Sequence, residues 1–205
     1  MAFLGFTLEL PPFERAKPGP RPVKMRSLVF NLLLFILSLS AFDLGHAQEQ
    51  SKEYQLKAAF LYNFAQFVKW PSDSFTASDA PFYIGILGDD PFGAALEETI
   101  QGETVDNHKL RVVRGRSFED LKNCQMIFVC RSEEGRVSEI LSQLGTKPIL
   151  TVSEVESFAR NGGDIDFYLS GGKVRFEINP QSAQRAGLRI SSQLLSLGKI
   201  VTGGN

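Results

Sequence analysis

Two aspartates, Asp89 and Asp90, come just after the apolar run Phe82 to Leu87, and Arg131 closes a second apolar run, Gln125 to Cys130. If both runs are strands, these residues stand at carboxyl ends, where open α/β sheets place their ligands. Paired carboxylates there suit a phospho-acceptor. That chemistry needs a further Asp at the end of the third strand, where this chain has Cys130-Arg131-Ser132. The plainer reading makes Asp90 a helix cap and Asp89 a loop acid. The sharper one makes Asp89, Asp90 and Arg131 a crevice for a small ligand.

Other chemistry is harder to assemble. Ser132, Ser170 and Cys130 are candidate nucleophiles, and each would need a base to activate it. His108, in the polar stretch Asp106 to Lys109, is a solvated loop residue on this reading, and no G-x-S-x-G elbow is present. Gly85, Gly88 and Gly93 do not make a G-x-G-x-x-G fingerprint, and there is no phosphate-binding G-x-x-x-x-G-K-[ST] loop. No catalytic set, metal site or cofactor is implied, which leaves a hydrolase with an unconventional centre as a distant reading.

The segment Met25 to Ala47 reads as a secretory signal peptide. Arg26 precedes an apolar run from Leu28 to Leu37, and small residues lead to Gln48. The run falls short of the roughly 20 apolar residues of a membrane span. An uncleaved anchor helix is the competing reading. Met25 reads as the true start, against a long leader beginning at Met1. Residues 1–47 are therefore set apart from a domain over residues 48–205.

That leader carries five of the 22 Lys and Arg and three of the 23 Asp and Glu, leaving 17 and 20, a net charge of −3. No basic stripe with interleaved aromatics appears, so nucleic acid is excluded as a partner. Cys124 and Cys130 lie in one apolar segment. Six residues of strand span roughly 20 Å, and a disulfide needs alpha carbons about 5–6 Å apart. Two separate buried thiols are expected.

The elements that must position these residues follow from periodicity and caps. Ser51 to Trp70 is a helix ended by Pro71, with Leu56, Phe60, Phe64 and Phe67 on one apolar face and Tyr54, Ala58, Leu61, Ala65 and Val68 on another. Phe82 to Leu87 is a strand, and Asp90 caps a helix running from Pro91 to about Ile100. Lys109 to Arg114 is a strand, Ser117 to Leu121 a short helix, and Gln125 to Cys130 a strand. Ser132 caps a helix ending near Gly145. Pro148 to Val152 is a strand, and Ser153 with Glu156 forms a capping box for a helix ending at Asn161-Gly162-Gly163. Asp164 to Leu169 and Lys173 to Ile178 flank Ser170-Gly171-Gly172 as a hairpin. Asn179 and Pro180 open another helix, which Gly187 interrupts, and Ile190 to Ile200 is a last amphipathic piece. The alternation predicts a single α/β domain. Its mostly parallel sheet has about six strands, an antiparallel edge hairpin and helices on both faces.

Two further motifs are distinctive. Lys57-Ala58-Ala59-Phe60-Leu61-Tyr62-Asn63-Phe64 leads to Trp70-Pro71, and Phe176-Glu177-Ile178-Asn179 leads to Ala186-Gly187-Leu188-Arg189-Ile190-Ser191-Ser192-Gln193-Leu194-Leu195. With the signal peptide before them, these resemble the YfiR family of periplasmic proteins, from Glu53 to about Val201. The resemblance implies a non-enzymatic regulator that binds the periplasmic sensor domain of an inner-membrane diguanylate cyclase. Such a regulator restrains cyclic-di-GMP synthesis and biofilm formation. A homodimer is a candidate assembly, although no interface signature stands in the sequence. Cys124 falls where members often carry a cysteine, but no upstream cysteine is there to pair with it, so redox control through a bridge is not expected.

The candidate partner-binding residues are Arg175, Phe176, Glu177, Arg185, Leu188 and Arg189. Val174, Phe176 and Ile178 alternate with Arg175 and Glu177, so a core face backed by a solvated charged face is the plain alternative. Arginine favours interfaces, and Arg175, Arg185 and Arg189 would bound one contact or anion-binding patch. A periplasmic small-ligand sensor without a cyclase partner, using Asp89, Asp90 and Arg131, is the second functional reading.

Overall fold

The computed structural model describes residues 49–203; the leader and signal peptide read over 1–47 lie outside the described residues. The long first helix, α1, covers residues 49–67. After it come β1 (Val68–Lys69), a 3-10 turn (Ser72–Ser74), β2 (Phe82–Leu87), α2 (Ala95–Ile100), β3 (Thr104–Val105), β4 (His108–Gly115), α3 (Phe118–Leu121) and β5 (Met126–Val129). A 3-10 segment (Arg131–Arg136) runs into α4 (Val137–Leu144), followed by β6 (Leu150–Ser153), β7 (Ile165–Ser170), β8 (Lys173–Ile178), α5 (Pro180–Arg185), β9 (Arg189–Ile190), α6 (Ser192–Leu197) and β10 (Lys199–Ile200).

Eight strands form one mixed sheet in the order β10-β8-β7-β6-β5-β2-β4-β3, and β1 pairs with β9 in a separate antiparallel ribbon. The central strands β4, β2, β5, β6 and β7 run parallel. Two apolar clusters cover the faces, as the alternation of the strands requires. On one face Ile84, Met126, Phe128, Val152, Phe167 and Phe176 meet α1, α5 and α6. On the other Leu87, Ile127 and Val129 meet α3, α4 and Phe158. The α/β fold with helices on both faces is thus as the sequence indicated. The sheet has eight strands rather than six, because β3 and β10 add two-residue strands at its margins.

Several local expectations give way to tertiary contacts. The buried stripe of α1 is Lys57, Ala58, Leu61, Phe64 and Ala65, continued by Val68 of β1. It takes members from both predicted faces and leaves Leu56 46% exposed. The helix stops at residue 67 because Val68 and Lys69 pair with Ile190 and Arg189. Asp90 accepts from the Phe92 amide at 2.7 Å, closing a turn, and α2 begins only at Ala95. Ser132 caps no helix; its hydroxyl accepts from the Asp89 amide at 2.9 Å.

The helix predicted after Ser153 does not form. The Ser153 hydroxyl donates to the Val129 carbonyl and accepts from the Val155 amide. Turns fill residues 156–162, with Ser157 in the left-handed region. The β7–β8 hairpin is where it was expected, on two left-handed glycines, Gly171 and Gly172, but it is not the sheet edge. The chain returns through α5 and α6 to lay β10 parallel to β8. Gly198 allows that return: a Cβ there would meet the Phe176 ring at 2.6 Å and Ile178 at 2.7 Å.

Candidate functional site

The carboxyl end of the parallel sheet collects the ends of β2, β5 and β6. Asp89 and Asp90 stand there, as does Arg131, each with a different partner. Asp90 receives the Arg114 guanidinium at 2.8 Å, and Arg114 also binds Glu97 at 2.5 Å and the Gly93 carbonyl. Asp89 faces Arg116 at 3.3 Å in the open. Arg131 donates to the Glu154 carbonyl at 3.3 Å. Each charge is already engaged within the fold. Phe92, buried, is set edge-on against Phe128 at 4.8 Å and Tyr54 at 5.5 Å.

At this end α1 is joined to the sheet by a network that the sequence reading did not single out. Lys57, only 4% exposed, lies 2.5 Å from Glu154, itself 6% exposed, and 2.5 Å from Glu53. Tyr54 donates to both Glu154 oxygens at 3.0 Å. Burial and then the Glu154 charge push the Tyr54 hydroxyl well above the usual phenol range, so it remains a donor. The signal was legible in principle: Lys57 precedes Leu61, Phe64, Ala65 and Val68 at helical spacing, a cation on an apolar stripe.

The C-terminal block divides into buried and exposed members. Phe176 and Leu188 lie in the core, 4% and 2% exposed, so the structure gives them no surface to offer. Phe176 meets Phe60, Phe64 and Phe167. Glu177 is also buried, held by Arg160 at 2.9 Å and Lys199 at 2.7 Å. Burial pushes its carboxyl up, but the hydrogen bonds from these two cations outweigh that and hold it below the usual range.

Arg175, Arg185 and Arg189 are exposed and make no ion pair among the described residues. They stand on three successive elements. Arg175 lies toward the hairpin end of β8, three residues or about 10 Å of strand from Ile178. Arg185 and Arg189 follow β8, on α5 and β9. Around the hairpin the exposed side chains include Tyr168 and Leu169, at 38% and 58%.

The remaining candidates have structural roles. His108 is buried rather than solvated: its ring stacks on Phe75 at 3.9 Å and its Nδ1 meets the Ala80 carbonyl at 2.6 Å. Cys124 and Cys130 are free and buried, and burial pushes both thiols up to about 12. Among the described residues no His, Cys, Asp or Glu group is placed to hold a metal ion. No described helix is long and apolar enough to cross a membrane. A groove of about 640 Å³ lies between α2 and β4, lined by Glu97, Ile100, Glu103, Leu110, Arg111 and Val112 and by none of the predicted site residues.

A search of curated proteins finds no match to this chain. A YfiR/HmsC-like family profile matches residues 54–199, from Tyr54 in α1 to Lys199 in β10. That span takes in both motifs, the aromatic helix and the block from Phe176 to Leu195, together with strands β2 to β7 between them, and the chain belongs to the YfiR/HmsC-like family.

Proposed function

We propose that residues 48–205 form an exported periplasmic regulator. It docks on the periplasmic sensor domain of an inner-membrane protein such as a diguanylate cyclase and lowers cyclic-di-GMP output without catalysing a reaction. The observation that carries this reading is the family match over nearly all the described residues. The Met25 to Ala47 segment is the export signal.

The docking surface on this reading is the outer side of the β7–β8 hairpin with Arg175, extended by Arg185 and Arg189. Phe176, Glu177 and Leu188 support it from inside. Exposed arginines and aromatics are the side chains that interfaces favour. Two tests apply in the native host. Deleting the gene should raise cellular cyclic-di-GMP. Crosslinking from a photoreactive residue at position 175 should capture an inner-membrane protein. An unchanged nucleotide level with no membrane protein captured overturns the proposal.

A further inference from the structure

Two acids at the start of β7, Asp164 just before it and Asp166 within it, are in an unusual condition. Asp164 and Asp166 are two residues apart, so both face away from Ile165 and Phe167. Asp164 is 2% exposed and Asp166 4%. One oxygen of Asp164 accepts from the Thr151 amide at 2.8 Å and the Thr151 hydroxyl at 2.7 Å; the other has no partner. One oxygen of Asp166 accepts a long bond from the Ala159 amide at 3.4 Å; its other oxygen also has none. These are two of the three buried side-chain polar atoms left unpaired among the described residues.

The charged neighbours do not compensate. Across from Asp166 in register is Glu177 on β8, a like charge. Arg160 from the covering segment and Lys199 from β10 both bind Glu177 rather than Asp166. From β6, Ser153 stands opposite Asp166 but gives its hydroxyl to Val129. Asp164 is faced by Thr151 of β6 and by Ser182 and Arg185 of α5, and Arg185 is exposed. A buried carboxylate with a bare oxygen favours its neutral form. Burial accordingly pushes both acids up to about 6.

What lies over these acids is the segment 154–163, the stretch that fails to become a helix. It is held by Arg160 on Glu177, by Asn179 donating to the Ala159 carbonyl and by Ser182 donating to the Gly162 carbonyl. A cleft of about 200 Å³ beside Asp164, lined by Thr146, Lys147, Gly162, Ser182 and Arg185, gives solvent a route to it. We propose that Asp164 and Asp166 are a proton-uptake site, and that mild acidification of the surroundings latches the segment 154–163 onto the sheet. Ionised, the acids are better served by water, so the segment opens. Protonated, they lose the repulsion from Glu177 and each gains a donor, so it closes.

The test is amide hydrogen exchange of residues 155–163 in the full-length protein at pH 7.5 and pH 5, corrected for intrinsic rates. An acid at about 6 when covered and 3.8 when open lowers the opening constant about tenfold over that interval. Asp166→Asn and Asp164→Asn should each shrink this response, and the pair should abolish it. A carboxyl-carbon NMR titration of the unaltered protein needs no variant, so it decides the matter even if the substitutions unfold the chain. Midpoints near pH 6 support the latch. Midpoints for both acids below about 4.5, or equal opening constants at the two pH values, overturn it.

Discussion

Removing the Lys57 charge tests whether α1 is held by a buried ion pair or by its aromatic face alone. In Lys57→Met the side-chain volume is nearly kept, so the Leu61 and Phe64 packing survives. Glu154 is left 6% exposed, with hydrogen bonds from Tyr54 but no cation within ion-pair distance among the described residues. Stranding one member of a buried pair costs about 3–5 kcal/mol. Glu154→Gln is milder, about 1–3 kcal/mol, because Lys57 keeps Glu53 at 2.5 Å on the partly exposed side. Replacing both with Met and Leu should cost less than Lys57→Met, since no buried charge is then stranded and the main remaining loss is the acceptor of the Tyr54 hydroxyl. The assay is urea unfolding followed by the single tryptophan, Trp70. Trp70 follows α1, packs on Phe82 at 4.8 Å and donates to the Gln125 carbonyl, so it reports on the joint between helix and sheet. A cost below about 1 kcal/mol for Lys57→Met, or a double variant weaker than Lys57→Met, would refute the reasoning.

Four further outcomes are expected. The folded-state values of Asp164 and Asp166 lie above the unfolded 3.8, so their contribution is full below pH 3.8 and is lost as pH rises through about 6. Unfolding free energy should therefore increase by about 2–3 kcal/mol from pH 7.5 to pH 5, and the thermal midpoint measured across that range checks it. Arg175→Glu should weaken capture of the membrane partner by tenfold or more while leaving the melting temperature within a degree or two, because Arg175 has no ion pair to lose among the described residues. Gly198→Ala, driving a methyl into the Phe176 ring, should destabilise by about 1–3 kcal/mol in the same urea assay. Cys124 and Cys130, with thiols at about 12, should resist iodoacetamide in the native protein at pH 8 and react fully in urea.

Legibility followed the range of the forces involved. The strands at Phe82–Leu87 and Lys173–Ile178, the hairpin at Gly171-Gly172, the Asn179-Pro180 start of α5 and the Ser117 cap of α3 are decided within a few residues. Side-chain period, glycine conformation and cap chemistry suffice for these. The family likeness was legible for the same reason, being carried by two contiguous motifs. The candidate site was less so. Alternation left Phe176 either core or contact and set Glu177 with Arg175 on a solvated face, whereas both Phe176 and Glu177 are buried; nothing local showed that Asp90 belongs to Arg114, or that Arg131 turns to Glu154.

The amino-acid sequence alone determined the six longer strands of the sheet, that strands and helices alternate as α/β, and that two cysteines flanking one strand remain apart. Only the tertiary structure decided that Ser153-Glu154 opens turns instead of a helix, because Ser153 and Glu154 find partners 24 and 97 residues away, in Val129 and Lys57. It also decided that β10 pairs beside the end of β8, and that Asp164 and Asp166 are buried with oxygens unmet. The physical reason is one of distance along the chain. A cap or a turn is satisfied by neighbours, whereas a buried charge takes whatever partner the folded sheet brings to it.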